Sequence, residues 1–116
     1  MQNHCGNGYD PNFSPLLASA EMLTIALVAM PETAWPIVRS SLTEQMLPTI
    51  EPVDMLRKVY AVCSQLEQDG RELSITNIID NLNDDERNQL YKWRECQPYS
   101  LNAERIQDWV EAIREN

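Results

Sequence analysis

Glycine is scarce in this sequence, and two of the three glycines, Gly6 and Gly8, lie close to the first residue. Tight hairpins and phosphate-cradling loops both need glycine at positions with positive φ angles. The sequence contains neither a GxxxxGK[ST] nor a GxGxxG motif, which excludes the common phosphate-binding loops. Because helices tolerate a shortage of glycine, the composition favours an all-α fold.

Positive charge is also in short supply. Nine lysine and arginine residues stand against 18 aspartate and glutamate residues, so the formal net charge is −9 at pH 7. Nucleic-acid binding depends largely on basic side chains that displace counterions from phosphates. The acidic balance therefore predicts no direct nucleic-acid binding. The stretch Tyr91–Arg94 interleaves aromatics with bases, as base-stacking surfaces do, but Trp93 shares an apolar helix face with Leu90, which favours core packing.

Metal ligands and redox cysteines are few. The single histidine, His4, lies beside Cys5, and together they supply two of the four ligands of a closed zinc site. The other two cysteines, Cys63 and Cys96, are expected on apolar helix faces, so no metal site is predicted. With no CxxC motif and no secretory signal, the three separated cysteines indicate a reducing cytoplasmic compartment.

No arrangement of residues in the sequence predicts catalysis. A serine or cysteine nucleophile needs a positioned base, and the only histidine lies four residues into the chain. The acids Asp84 to Glu86 are explained by helix capping, and Glu67 with Asp69 by a solvated helix end. Asp80 to Glu86 lacks the central glycine of a calcium-binding loop. We therefore expect a non-enzymatic protein that carries no cofactor.

Long apolar runs are absent too. The segment Met22 to Pro31 passes without a charge, but a membrane-spanning helix needs roughly 20 apolar residues. Ten uncharged residues bounded by glutamates match the length of a buried core helix. The whole helix is expected to have Ser14 as its cap, Pro15 in its first turn and Pro31 as its stop. The sequence thus predicts a core helix and no membrane association.

Apolar residues recur at helical spacing in six segments. The expected helices are Pro15 to Met30, Ala34 to Leu42 with Pro36 in its first turn, Val53 to Gln68 closed by Gly70, a short helix capped by Ser74, a helix from the capping box Asn83–Glu86 to Cys96, and Asn102 to Glu115. No strand alternation or internal repeat accompanies them. The pattern predicts an all-α fold: a compact orthogonal bundle of about six short helices, forming a single interaction domain over 14–116 behind a flexible leader at 1–13.

With catalysis, cofactors and nucleic acid set aside, the remaining expectation is a partner-binding surface. Tyr91, Arg94 and Tyr99 offer large side chains of the kinds enriched at binding hot spots. We predict that these three residues contribute to a protein interface.

The order of segments is similar to that of a known family. The first segment is an apolar helix that ends in Pro-Glu, AEMLTIALVAMPE (Ala20 to Glu32), and the second is a long helix, PVDMLRKVYAVCSQLEQDG (Pro52 to Gly70). The third holds a short helix and an acid-capped helix, ITNIIDNLNDDERNQLYKW (Ile75 to Trp93), and the last is a closing amphipathic segment, AERIQDWVEAIREN (Ala103 to Asn116). From about Ser14 to the end, the chain resembles the C-terminal helicase-binding domain of bacterial DNA primase and the related N-terminal domain of the replicative helicase.

The resemblance implies a helical bundle that docks on the hexameric replicative helicase, couples priming to unwinding and modulates helicase activity. In that primase domain a long helical hairpin follows the bundle and makes much of the contact. This sequence ends at Asn116, where such a hairpin would begin, so the resemblance fits either the bundle alone or a free-standing relative. The zinc-binding and catalytic domains of a full primase are absent, and no polymerase activity is expected.

A second hypothesis follows from charge alone. A small acidic protein can regulate a nucleic-acid-binding partner by occupying the basic surface of that partner. The net charge of −9 over 116 residues suits this role. The two hypotheses differ in their response to salt, because exposed charge pairs are screened and apolar contacts are not.

Overall fold

The computed structural model describes residues 15–49, 53–96 and 101–115. These residues contain no strand, and they form a single-turn 3₁₀ helix at Glu44–Met46 and six α-helices: α1 (Pro15–Ala29), α2 (Pro31–Ser41), α3 (Met55–Gln68), α4 (Ile75–Ile79), α5 (Asp84–Cys96) and α6 (Ala103–Arg114). The predicted all-α bundle of about six short helices is confirmed. The leader expected over 1–13 and the cap expected at Ser14 lie outside the described residues.

Helix α1 is the centre of the bundle, and each of the other five helices contacts it. Every residue from Ser19 to Val28 is buried, which means that neighbours surround this helix on all sides. The prediction of a buried core helix is confirmed. Although α1 is strongly apolar, no helix in the described part of the chain is both long and apolar enough to cross a membrane.

The buried side chains form one continuous apolar core to which all six helices contribute. The radius of gyration, 13.4 Å, is close to the value expected for a folded chain of this length. Members of this core from successive helices are Leu23 and Leu27, Val38, Leu56 and Val59, Ile78, Leu90 and Trp93, and Ile106 and Val110. The amphipathic stripe of each segment therefore packs against the stripes of the others.

Helix α3 ends as its sequence predicts. Gly70 has a φ of +71°, a left-handed conformation that favours glycine. The N–H of Gly70 donates to the carbonyl of Glu67 (3.1 Å), and the N–H of Arg71 donates to that of Leu66 (2.9 Å). This pair of bonds is the Schellman motif, which satisfies carbonyls that the helix end would otherwise leave unpaired.

The start of α2 differs from the prediction. The helix begins at Pro31, not at Ala34, so Pro31 both closes α1 and opens α2. Pro36 consequently lies inside the helix and not in its first turn. A proline there removes the bond to the carbonyl of Glu32. Both residues are exposed, so water can solvate that carbonyl, which explains why the helix continues through Pro36.

An aromatic contact joins α2 to α3. The rings of Trp35 and Tyr60 meet edge to face, with centroids 4.9 Å apart. The Tyr60 hydroxyl donates to the carbonyl of Leu42 at a distance of 2.9 Å, just beyond the end of α2. These contacts fix the segment between the two helices, which carries the 3₁₀ turn.

Candidate functional site

Two short helices, α4 and α5, begin with side-chain caps that the sequence predicts. At α4 the Asn77 backbone N–H donates to the Ser74 hydroxyl (3.1 Å). At α5 the capping box is reciprocal: the Glu86 N–H donates to Asn83 Oδ1 (2.8 Å), and the Asn83 N–H donates to Glu86 Oε1 (2.9 Å). The caps define where each helix starts and therefore which side chains share a face.

A hydrogen bond across the turn holds α4 and α5 together. The Arg87 guanidinium donates through Nε to the carbonyl of Ile79 (3.1 Å) and lies 3.5 Å from the Asp84 carboxylate. On the α4 side, Asn81 Nδ2 donates to the carbonyl of Asn77 (2.8 Å). Because both helices also contact α1, these bonds fix the space that the three helices enclose.

That space is an apolar groove, which we call the α1–α4–α5 groove. Its volume is about 130 Å³, and the apolar and aromatic side chains that line it are Ile25, Val28, Ile75, Ile79, Leu90 and Tyr91. Arg94 also lines the groove and is exposed. The α1 residues Ile25 and Val28 are buried and form its floor.

Two side chains of the groove are apolar and yet remain accessible to solvent. Ile75 is 41% exposed and Tyr91 is 48% exposed; the other large hydrophobic residue exposed to this degree in the described ranges is Met46, at 45% on the 3₁₀ turn. Scattered exposed apolar residues are normal, whereas a cluster beside a concave surface is typical of interaction sites. Ile75 and Tyr91 form such a cluster.

The structure brings together two of the three residues that the sequence singled out for partner binding. Tyr91 and Arg94 lie three positions apart on α5, and both border the groove. They also border a second, more open cavity of about 390 Å³ together with Glu95. Tyr99 lies outside the described residues. The core-facing neighbours Leu90 and Trp93 are buried, which confirms the predicted assignment of that helix face.

Sequence reasoning missed the contribution of α4 to this surface. Ile75, Ile78 and Ile79 follow the spacing of a core face, but only Ile78 is fully buried, while Ile75 is exposed. The spacing i, i+3, i+4 places all three isoleucines on one helix face, so the sequence carried no signal that Ile75, at the first position of α4, would remain exposed.

A second groove, of about 270 Å³, lies beside α3 and combines the apolar side chains of Ala61, Val62 and Leu66 with polar ones. Its lining includes two cations and one carboxylate, from Lys58, Arg71 and Asp69, together with the amides of Gln65 and Asn81. The carboxylate partly offsets the two cations, and none of the exposed large apolar side chains in the described ranges lies in this lining. This groove is therefore a weaker candidate for ligand binding than the apolar one.

Glu21 is a buried acid that the sequence patterns did not single out. It is 7% exposed on α1, and burial raises the pKa of its carboxyl from 4.5 to about 7. A pKa near neutrality is a property of general acids and bases. Glu21 is not among the side chains that line the α1–α4–α5 groove. Its raised pKa makes it a determinant of how stability depends on pH.

Cys63, the cysteine whose side chain the structure describes, is unreactive because it is buried. Cys63 is fully buried in α3, and burial, with a smaller contribution from the charge of Glu67, raises the pKa of its thiol to about 12. Thiolates are the reactive form of cysteine, so this side chain is inert at neutral pH. Among residues 15–49, 53–96 and 101–115, no group of three metal-ligating side chains converges. The His4 and Cys5 pair lies outside those ranges.

Comparison with protein-family models, curated proteins and solved structures gives no match for this chain.

Proposed function

We propose that this chain is a non-catalytic protein–protein interaction domain of the cytoplasm, that its partner is the hexameric replicative helicase, and that the α1–α4–α5 groove is its docking surface. The partner is taken from the resemblance of the segment order to the helicase-binding domain of primase. The observation that supports docking at this surface is that Ile75 and Tyr91, both exposed and apolar, adjoin one apolar groove. In this proposal the domain couples priming to unwinding and makes no direct contact with nucleic acid.

Covering the exposed side chains of the groove would contribute to the free energy of docking. Fully burying a large apolar side chain contributes roughly 1.5–3 kcal/mol. Ile75 and Tyr91 are about half exposed, so covering them would contribute on the order of 1 kcal/mol each. A stable interface buries about 1,200–2,000 Å² in total, so the groove would be the apolar centre of a larger contact.

The direct test is gel filtration of this chain with the cognate hexameric replicative helicase at micromolar concentration. We expect co-elution that persists as the salt concentration rises from about 50 to 500 mM, because apolar contacts are not screened. A mixture that elutes as two separate species at low salt would rule out the proposed partner.

The net charge of −9 supports a second candidate function, sequestration of a nucleic-acid-binding protein through its basic surface. Exposed acids at the start of α5, Asp84 and Asp85, belong to the surface that such a partner would contact. Binding that is lost steeply over the same salt range would favour this alternative, since it depends on screened charge pairs.

A further inference from the structure

Arg94 is the one charged side chain among the described residues that line the α1–α4–α5 groove. Two other arginines are paired, since Arg39 lies 3.6 Å from Glu67 and Arg87 lies 3.5 Å from Asp84, whereas Arg57, Arg71 and Arg114 have no ion pair among the described residues. Arg94 has no ion-pair partner among the described residues, although acids outnumber bases two to one in this chain. An unpaired cation beside apolar walls is complementary to a ligand that has an apolar part and a carboxylate.

The size of the groove indicates what kind of ligand enters it. Pockets for cofactors and drug-sized molecules usually measure about 300–1,000 Å³. The α1–α4–α5 groove measures about 130 Å³, which is too small for such a molecule but sufficient for a side chain of leucine size. The groove thus suits an apolar side chain that projects from a partner protein.

The secondary structure around the groove limits which kind of partner segment, a strand, a polyproline segment or a helix, can bind there. Strand addition requires an exposed strand edge, and the described residues contain no strand. Recognition of a polyproline segment uses several aromatic side chains, whereas Tyr91 is the single aromatic residue among the described residues that line this groove. An amphipathic helix fits best, because it presents an apolar residue and an acid on one face at spacings of three or four.

We propose that the α1–α4–α5 groove receives an apolar side chain from an amphipathic helix of the partner, and that a carboxylate one turn away on the same helix pairs with Arg94. This inference rests on the proposed function in that it takes the partner to be a protein. It adds the chemistry of recognition, which does not depend on the identity of that protein.

The chemistry of the groove can be tested without any partner. The probes are 4-methylpentanoate, which joins a leucine-like tail to a carboxylate, and 4-methylpentylamine, which carries the opposite charge on a similar tail. Titration of methyl-labelled protein followed by NMR should shift the methyl signals of Ile25, Val28, Ile75, Ile79 and Leu90. We expect the carboxylate to bind roughly threefold more tightly than the amine, as one accessible ion pair allows.

The variant Arg94→Gln should bind the two probes equally well while the same methyl signals still shift. Equal binding of both probes by the unmodified protein, or shifts confined to other methyl groups, would overturn the inference. Self-association that is abolished by Ile75→Asp in sedimentation experiments would also overturn it, because the occupant would then be a second copy of this chain.

The partner itself provides the second arm of the test. Arg94→Glu and Lys92→Glu change the net charge equally and lie on the same helix, but Lys92 does not line the groove. We expect Arg94→Glu to weaken helicase binding about tenfold and Lys92→Glu to weaken it less than about threefold. Equal effects would contradict pairing at Arg94. If the unmodified chain does not bind helicase at all, the proposed function fails while the probe titration still decides the inference.

Discussion

Helices α1 and α5 make opposite use of their surfaces. On α1 every residue from Ser19 to Val28 is buried, including an acid. On α5 the buried positions Leu90 and Trp93 alternate with exposed positions, and Tyr91 and Arg94 border an open groove. The first helix organises the core, whereas the second has one face in the core and another available to a partner.

Because of this difference, we expect residues of α1 to determine the stability of the fold and exposed residues of α5 to determine the affinity for a partner. Truncations of the buried apolar side chains of α1 should lower the free energy of unfolding because each one disturbs packing against several helices at once. Substitutions on the exposed side of α5 should leave the fold intact and change only the affinity for a partner. The predictions below test this separation, starting from the largest effect.

The largest contrast is expected between two truncations to alanine. Leu27→Ala removes a fully buried side chain of α1 and should lower the free energy of unfolding by about 2–5 kcal/mol, because it leaves a cavity. Tyr91→Ala on α5 should cost less than about 1 kcal/mol, since the ring is half exposed. Urea unfolding followed by circular dichroism measures both. Similar losses of unfolding free energy in the two variants would contradict the different roles assigned to α1 and α5.

A second prediction concerns the buried acid of α1. Because burial raises the pKa of Glu21 from 4.5 to about 7, the folded state retains a proton that the unfolded state has already lost in this range. The contribution of Glu21 to stability should therefore fall as the pH rises from about 4.5 to 7 and level off above it. At about 1.4 kcal/mol per pKa unit, the loss is on the order of 3 kcal/mol.

The variant Glu21→Gln isolates this effect, since glutamine is neutral at every pH. We expect it to be more stable than the unmodified chain at about pH 8 and to show a flatter dependence of unfolding free energy on pH. Glu72→Gln removes an exposed carboxylate before α4 and serves as the control for the loss of one charge. A pH profile that Glu21→Gln leaves unchanged would show that the carboxyl is solvated.

The smallest effect is expected at the start of α5. Asn83→Ala removes the side-chain acceptor for the Glu86 N–H and should cost about 1 kcal/mol of unfolding free energy. Asn88→Ala makes the same substitution at an exposed position within that helix and should change stability by less than about 0.5 kcal/mol. Thermal unfolding of the two variants side by side checks the capping box. Equal melting temperatures would mean that the cap contributes nothing.

Local sequence patterns predicted those helix ends that are fixed by hydrogen bonds between residues close together in the sequence. The Ser74 cap, the Asn83–Glu86 box and the glycine at position 70 all act through bonds within a few residues, so their signals are present in short segments. The same holds for Tyr91 and Arg94, which any helix places on one side. From the sequence, Pro31 is predicted only to end α1. Proline can also open a helix, and local sequence does not decide between the two.

The remaining features depend on packing between distant segments. A glutamate normally indicates the exposed edge of a helix, yet the helices around α1 cover Glu21. The groove itself is formed by residues of three helices, and the Arg87 bond to Ile79 joins α5 to α4 beside it. No short segment of the sequence contains that information.

The central claim is that the α1–α4–α5 groove is the surface that docks on the helicase. Its most direct test is the dissociation constant of the helicase complex for two matched variants, Ile75→Asp in the groove and Met46→Asp on the 3₁₀ turn, since these side chains are 41% and 45% exposed. We predict that Ile75→Asp weakens binding by more than about tenfold, or 1.4 kcal/mol, and that Met46→Asp changes it by less than about twofold. Equal losses for both variants, or no loss for Ile75→Asp, would contradict the claim.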